Sequence, residues 1–164
     1  MNTQKGFTIV ELLIVIVVIG ILAAITIVAY NGIQNRTNDT AVKSDLRNFG
    51  NKILEYQAIN GNPVPLATAD LQSLNFKATT RAYGAHYNAN NGYNFLYCRV
   101  GDAFAIVGAS KSGRVFAYRS QGGLVEDVPA LNTFTTTCPD NGVTGGASPG
   151  VWGFNNGAWA SWAG

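Results

Sequence analysis

Charged and metal-binding side chains are scarce in this sequence. Only 12% of the 164 residues are Asp, Glu, Lys or Arg, and there is a single histidine, His86. One histidine and two cysteines do not provide the ligand clusters that protein metal sites use. A lone histidine among Tyr, Gly and Asn is more typical of a loop or surface residue than of a catalytic base. We therefore predict no catalytic site, no metal site and no cofactor.

A large excess of one charge is also missing. The chain has 11 basic and 9 acidic residues, and its basic residues between Arg99 and Arg119 are scattered along strand-like sequence. Nucleic-acid-binding domains usually carry a clustered basic surface instead. The adjacent acids Glu126 and Asp127 are a weak signal for calcium, because no further alternating oxygen ligands follow them. A phosphate-binding loop motif does not occur.

What the sequence does have is one long apolar run. The 23 residues from Phe7 to Ala29 contain a single ionisable side chain, Glu11. As an α-helix they would extend roughly 35 Å, which is enough to cross a hydrocarbon core of about 30 Å. A carboxylate at mid-bilayer costs about 2.5 to 3.5 kcal/mol. Glu11 therefore needs a partner, a proton or a function.

The residues before this run differ from an ordinary secretory signal. Such a signal has an apolar stretch of about 7 to 15 residues followed by a small-residue cleavage site. Here the run is longer, no such site follows it, and the small residue Gly6 precedes it. Cleavage after Gly6 would leave the apolar helix in the mature chain.

The segment MNTQKGFTIVELLIVIVVIGILAA resembles the N-terminus of type IV prepilins, the precursors of pilins and pseudopilins. The matching residues are Lys5, Gly6, Phe7, Thr8, Glu11, Leu12, Leu13, Gly20 and Ile21 to Ala24. The resemblance implies that a prepilin peptidase cuts between Gly6 and Phe7 and methylates the new amino terminus of Phe7. It also implies that Glu11 faces the amino group of a neighbouring subunit during assembly.

Electrostatics supports such a pair. An ammonium at Phe7 and a carboxylate at Glu11 would offset each other's desolvation in a setting of low dielectric constant, and pairing across subunits would fix their axial register. The alternative is a simple single-pass anchor whose Glu11 reaches back to the membrane interface. The combination of Gly6, Phe7 and Glu11 favours the prepilin interpretation.

The resemblance and the residue pattern together predict an α+β fold, in which a long N-terminal helix packs on a small antiparallel β-sheet. We assign residues 1–6 to a leader peptide, 7–30 to a transmembrane and polymerisation helix, and 31–164 to an extracytoplasmic globular domain. The Asn31-Gly32 pair predicts a kink or interruption of the helix. The helical pattern then resumes over about 33–60, with Asp45 among the residues on its outer faces and an apolar stripe facing the domain. The stripe is Val42, Leu46, Phe49, Ile53 and Tyr56.

The rest of the domain shows the pattern of strands and turns. Gly61 predicts the end of the helix, and residues 61–92 read as a connecting loop with a short helix near Ala69 to Leu74. Alternating segments at 93–99, 103–109 and 114–119, joined by short turns, predict an antiparallel sheet over about 93–119. The C-terminal region, 120–164, follows the sheet.

Cys98 and Cys138 are the two cysteines. Lys5 marks the cytoplasmic flank of the apolar run, so both cysteines fall outside the cytoplasm, where a disulfide can persist. A bridge between them would close a 39-residue loop and contribute roughly 4 kcal/mol. Pilins commonly tie their C-terminal region in this way, so the resemblance implies the same bridge. Two unpaired buried thiols are the alternative.

The C-terminal segment holds Trp152, Trp159 and Trp162 among Gly, Ala, Ser and Asn. Such a composition cannot form a core alone. One interpretation is that the aromatic rings dock on the sheet or between subunits, with the segment adding an edge strand. The other is a surface patch that binds a glycan, a host cell or another filament.

These observations predict a structural subunit of a type IV pilus. Before assembly it would be a single-pass membrane protein with a cytoplasmic N-terminus, and after assembly part of an extracellular helical filament. The expected partners are other copies of the chain, the prepilin peptidase, the pilus assembly machinery and, before assembly, the membrane. Nucleic acid or a host surface would be a further partner, and apart from the tryptophans no pattern in the sequence supports such binding. The alternatives are a pseudopilin of a type II secretion or DNA-uptake system, a minor tip pilin acting as adhesin or DNA receptor, and lastly a membrane-anchored enzyme.

Overall fold

The computed structural model describes residues 6–61, 67–84, 94–145, 150–155 and 158–164. Within them the chain has the predicted α+β arrangement. The elements in chain order are α1 (Ile9–Asn60), α2 (Thr68–Ser73), the 3-10 turn η1 (Thr80–Ala82), β1 (Phe95–Val100), β2 (Ala103–Ala109), β3 (Val115–Arg119), β4 (Gly123–Glu126), α3 (Phe134–Asp140), β5 (Gly150–Asn155) and β6 (Ala158–Trp159). The structure divides into two compact units, one ending at Gln34 and one beginning at Asn35. We call the second unit the head.

Helix α1 continues through Asn31 and Gly32, so the helix interruption that the sequence predicted there is wrong. A glycine costs a helix interior only about 1 kcal/mol relative to alanine, which a helix of 52 residues tolerates. The helix ends as predicted. Gly61 follows its last residue with a φ of 62°, the left-handed conformation that glycine adopts at helix C-termini at no steric cost.

The six strands form one antiparallel sheet in the order β4-β3-β2-β1-β5-β6. The three predicted segments correspond to β1, β2 and β3, which are joined as a meander through tight turns. Strands β4 and β5 were not individually predicted. β5 pairs with β1 from more than 50 residues further along the chain, with Cys98 opposite Gly150. Such a long-range pairing has no local turn signal.

One face of the sheet packs on α1 through the predicted apolar stripe. Val42, Leu46, Phe49 and Ile53 are all fully buried, and Tyr56 packs at the edge of the same cluster. The sheet supplies large side chains to this core, among them Phe95, Tyr97, Phe104, Ile106 and Phe116. The prediction that the sheet covers this face of the helix is confirmed.

The other face of the sheet carries smaller side chains and a second core. Its strand residues include Leu96, Cys98, Ala105, Val107 and Ala117. The segment after β4 covers them with Val128, Leu131, Val143 and the buried side of α3. The segment after β4 is therefore held against this face of the sheet.

Asp45 does not lie on an outer face of α1 as the sequence predicted. It is 6% exposed and accepts hydrogen bonds from the Thr79 backbone N–H (2.6 Å), the Thr79 hydroxyl (3.1 Å) and the Tyr83 hydroxyl (3.2 Å). These bonds hold the turn η1 against the helix. Because burial disfavours its charged form, the pKa of Asp45 is raised, although the three hydrogen bonds oppose the shift.

Candidate functional site

The N-terminal part of α1 is an apolar surface. Within Phe7 to Ile33 its large apolar side chains are about half exposed or more; examples are Ile9, Leu12, Val18, Ile25 and Val28. This part of the helix is long and apolar enough to cross a membrane, judged by length and composition. A surface of this size and composition is expected to be buried by lipid or protein.

Thr8 and Glu11 form a reciprocal capping arrangement at the start of α1. Glu11 Oε2 accepts hydrogen bonds from the backbone N–H and the hydroxyl of Thr8, both at 2.8 Å. Thr8 Oγ1 in turn accepts the Glu11 N–H at 3.2 Å. This is a capping box, which satisfies N–H groups that a helix start leaves without partners. It holds the Glu11 carboxylate at the N-terminal end of the helix, where the helix dipole favours negative charge.

Sequence reasoning singled out Glu11 but gave Thr8 no role of its own. The signal was present, because a threonine followed three residues later by glutamate at the start of an apolar helix is the sequence pattern of a capping box. Phe7 precedes this pair and is 90% exposed. Gly6 is exposed. The pairing of Phe7 with Glu11 of a neighbour concerns two copies of the chain and stays a prediction.

The predicted disulfide is confirmed. Cys98 and Cys138 are bonded, with their Cα atoms 5.5 Å apart, and both are fully buried in the second core. The bond joins β1 to α3. Gly150, on the neighbouring strand β5, leaves room for this approach, because a Cβ there would lie 2.9 Å from Phe134 Cβ and 3.4 Å from Cys138 Sγ.

The three tryptophans do not form one surface patch. Trp162 is 2% exposed and stacks on Phe49, with ring centroids 5.4 Å apart, so for this residue the docking interpretation is correct and the surface interpretation is wrong. Trp159 is half-buried and meets Tyr83 edge-on at 5.1 Å. Trp152 is on β5, with its side chain outside the described part. Trp162 lies in the core because Phe49, on the apolar stripe of α1, provides an aromatic ring on which it stacks.

Glu126 and Asp127 contact cations of the protein itself. Arg114 binds Asp127 with Nε and Nη2, and Glu126 is bound by Arg114 Nη2 (3.1 Å) and by Lys43 Nζ (3.0 Å). A third carboxylate, Asp39, lies 3.3 Å from Arg114 Nη1. The weak calcium signal is thus explained by an ion-pair network. Among the described residues no group of three His, Cys, Asp or Glu side chains could hold a metal ion, and His86 lies outside them.

The N-terminal arrangement lies in a segment with known relatives. Residues 1–27 match the family model of the prokaryotic N-terminal methylation motif. We call residues 1–27, which match this motif and resemble the N-terminus of type IV prepilins, the prepilin segment. The capping box lies within this segment, and so does most of the exposed apolar surface of α1.

Similar proteins are pilins and a related secretion component. The chain is 52% identical over 46 residues to the type IV major alpha-pilin of Moraxella bovis, covering 28% of this chain and 29% of that protein. It is 43% identical over 79 residues to the type IV wide pilus major component PilA4 of Thermus thermophilus, covering 48% and 60%. It is 30% identical over 87 residues to the type II secretion system core protein G of Escherichia coli, covering 53% and 59%.

These similarities have a limited extent. The chain spans between about three tenths and six tenths of the length of these relatives. No solved structure gives a significant match. The matches cover 28%, 48% and 53% of this chain.

Proposed function

We propose that this protein is a structural subunit of a type IV pilus. The observation that carries the proposal is the prepilin segment placed at the start of an exposed apolar helix, which continues into the head. Before assembly that helix would anchor the subunit in the membrane, with the head outside the cytoplasm. In the filament the same apolar surface would be buried among the helices of other copies. The similar pilins support this role.

The proposed maturation creates the charge that Glu11 needs. A prepilin peptidase would cut between Gly6 and Phe7 and methylate the new amino group, which stays positively charged. Glu11 is already held at the helix start by Thr8, one turn from that terminus. In the apolar interior of a filament, the amino group of one copy and the carboxylate of the next would be paired ions, because neither could be desolvated alone at low cost.

Contacts of this kind are heterologous: the amino terminus of one copy meets Glu11 of another. Repeated head-to-tail contacts that do not close on themselves produce a helical polymer. The pilus assembly machinery in the membrane would add subunits one after another, and the ion pair would set the axial position of each.

The proposal is tested first on material sheared from the cell surface. Intact-mass measurement and N-terminal sequencing should find a mature chain that begins at methylated Phe7 and is two hydrogens lighter because of the Cys98–Cys138 bond. A chain that begins at Met1 and occurs only in membranes would contradict the proposal.

Replacing Glu11 tests the assembly step separately. Glu11→Gln should leave membrane insertion and processing intact and strongly reduce the yield of filaments, since the amino terminus loses its counter-charge. Asp102→Asn is the matched control, because Asp102 is an exposed carboxylate of the head. Filaments of normal yield from Glu11→Gln would remove the ion pair from the proposal.

A second candidate is a pseudopilin, which would share the prepilin segment but form a short fibre within a secretion or DNA-uptake machine. The similarity to the Escherichia coli secretion protein over 87 residues is the observation that favours it. Electron microscopy of sheared material distinguishes the two. Long surface filaments containing the chain support the pilus subunit, and their absence from cells that secrete or take up DNA through this protein supports the pseudopilin.

A further inference from the structure

A cleft of about 340 Å³ opens in the head, between the last turns of α1 and the C-terminal end of α2. Its lining includes Lys52, Glu55, Tyr56, Ile59, Leu74 and Asn75. Pockets that bind small molecules begin at about 300 Å³, so the cleft has room for one small ligand. The cleft lies entirely within the head, and none of its lining residues belongs to the prepilin segment.

A basic, an acidic and an uncharged polar side chain line this cleft: Lys52, Glu55 and Asn75. Lys52 Nζ donates a hydrogen bond to the Leu74 carbonyl at 2.8 Å, which fixes the ammonium at the wall and leaves its other N–H groups for a ligand. The Glu55 carboxylate is exposed and pairs with no cation among the described residues. The Asn75 side chain is exposed and equally without a partner in the described part. The cleft therefore offers an ammonium, a carboxylate and an amide with no net charge.

Apolar groups lie beside them. The Tyr56 side chain is partly buried against the core between α1 and the sheet, and Leu74 is 8% exposed. Ile59 is 74% exposed. In the described part of the head, the other exposed large apolar side chain is Leu54, at 41%. An apolar surface beside a few converging polar groups is the usual make-up of a ligand site.

We propose that this cleft binds a neutral saccharide. A sugar hydroxyl both donates and accepts hydrogen bonds, so neighbouring hydroxyls can satisfy Lys52, Glu55 and Asn75 without adding charge. The C–H face of the sugar ring would lie on Tyr56 and Ile59. A ligand with one charge fits less well, because an anion would face Glu55 and a cation would face Lys52. A purely apolar ligand would desolvate all three polar groups without replacing their hydrogen bonds.

The test uses the mature chain in a zwitterionic detergent, which has no sugar head group to compete. The methyl glycosides of galactose, glucose, mannose and N-acetylglucosamine are added one at a time, and amide signals are followed by ¹H–¹⁵N NMR. We expect at least one glycoside to shift the amides of Glu55, Tyr56 and Asn75 in a saturable way, with a dissociation constant on the order of 1 mM.

Two substitutions locate the binding. Glu55→Gln removes the carboxylate from an exposed position. Asn75→Gly removes the amide while glycine retains the φ of 47° found there. Each should weaken binding roughly 2- to 10-fold, the loss of one hydrogen bond. Asn51→Ala, an exposed position of α1 outside the cleft lining, should leave the affinity unchanged.

The outcomes that overturn the proposal are distinct from failure of filament assembly, because the subunit is measured alone. No saturable shift with any of the four glycosides overturns it. So does binding that survives both substitutions, since the sugar would then lie elsewhere. A stronger saturable response of the same amides to free lysine would assign the cleft to a zwitterion instead.

Discussion

Arg114 holds Asp127 with two parallel hydrogen bonds, from Nε to Oδ1 at 2.7 Å and from Nη2 to Oδ2 at 2.9 Å. Asp127 has a φ of 54°, a left-handed conformation that few residues other than glycine adopt. The guanidinium thus secures the backbone where β4 ends and the chain turns to cover the second face of the sheet. It also joins this turn to α1 through Asp39.

Acid should weaken this network. The hydrogen bond from Lys43 is the main cause of the lowered pKa of Glu126, and the one from Arg114 is the main cause for Asp127. A carboxyl group whose pKa is lowered by folding stabilises the protein above its ordinary pKa, 4.5 for Glu126 and 3.8 for Asp127. That contribution is lost as the pH falls through the lower folded value. We expect the Tm to fall in this acid range, and to fall less in Arg114→Gln.

Circular dichroism between pH 7 and strongly acidic buffer measures this difference. Lys77→Gln is the control, since it removes the same charge from an exposed position outside the network. If Lys77→Gln flattens the acid response as much as Arg114→Gln does, net charge and not the network is responsible.

The contribution of Asp45 to stability should depend on pH in the opposite direction. Its pKa is raised by burial, so between its ordinary value of 3.8 and the raised value the folded state holds more protons than the unfolded state. The contribution of Asp45 to stability therefore decreases as the pH rises through this window. Asp45→Asn cannot titrate, so its deficit relative to the wild type should be largest below pH 3.8 and smaller at pH 7. Urea unfolding at several pH values measures it; a deficit that grows with pH would contradict the assignment.

Asp45→Ala is a sharper test of the hydrogen bonds. It leaves the buried Tyr83 hydroxyl without its acceptor, which costs about 1 to 3 kcal/mol. It also removes the two part-buried hydrogen bonds from Thr79. We expect a loss of about 2 to 4 kcal/mol in the free energy of unfolding. Tyr83→Phe removes a single one of these bonds and should cost less. Equal losses would place the effect in packing.

The disulfide should stabilise the protein mainly by reducing the conformational entropy of the unfolded chain. The double substitution Cys98→Ala/Cys138→Ala should lower the free energy of unfolding by roughly 4 kcal/mol, measured by urea titration of the mature chain in detergent. Dithiothreitol provides the matched control. It should destabilise the wild type at high urea, where the bond is accessible, and leave the double variant unchanged. A double variant as stable as the wild type would contradict this role.

Trp162 is expected to be a core residue in solution as it is in the structure. Trp162→Ala should cost about 3 to 5 kcal/mol, as for other buried aromatic side chains. Trp159→Ala should cost less, because Trp159 is half-buried. Thermal unfolding compares the two. A Trp162→Ala variant of unchanged Tm would restore the interpretation of this residue as a surface group.

The sequence predicted the features that depend on local pattern. The prepilin segment, the apolar stripe from Val42 to Tyr56 and the strands β1 to β3 all have a period or a motif within a few residues. The C-terminal segment adds strands at one edge of the sheet, as one of the two interpretations expected. The bounds of β5 and its pairing with β1 were not predicted, because β1 is remote in the chain. The burial of Asp45 was also not predicted. Its partners Thr79 and Tyr83 are more than 30 residues away, in a segment without periodicity.

The candidate site shows a similar division. Glu11 stood out because it is one carboxylate in an apolar run, whereas the role of Thr8 was missed although its spacing to Glu11 was visible. The two interpretations of the tryptophans could not be separated from the sequence. Which aromatic side chain enters the core depends on the space above Phe49, and that space is set by α1, β1 and the chain end together.

The two cores on opposite faces of the sheet have a consequence for the surface of the head. In the described part, both faces of the central strands are covered, by α1 on one side and by the segment from Val128 to Val143 on the other. What remains at the surface is made mainly of turns, edge strands and the outer sides of helices. Substitutions there seldom disturb a core, so the chemistry of this surface can be changed widely while the interior of the head stays the same.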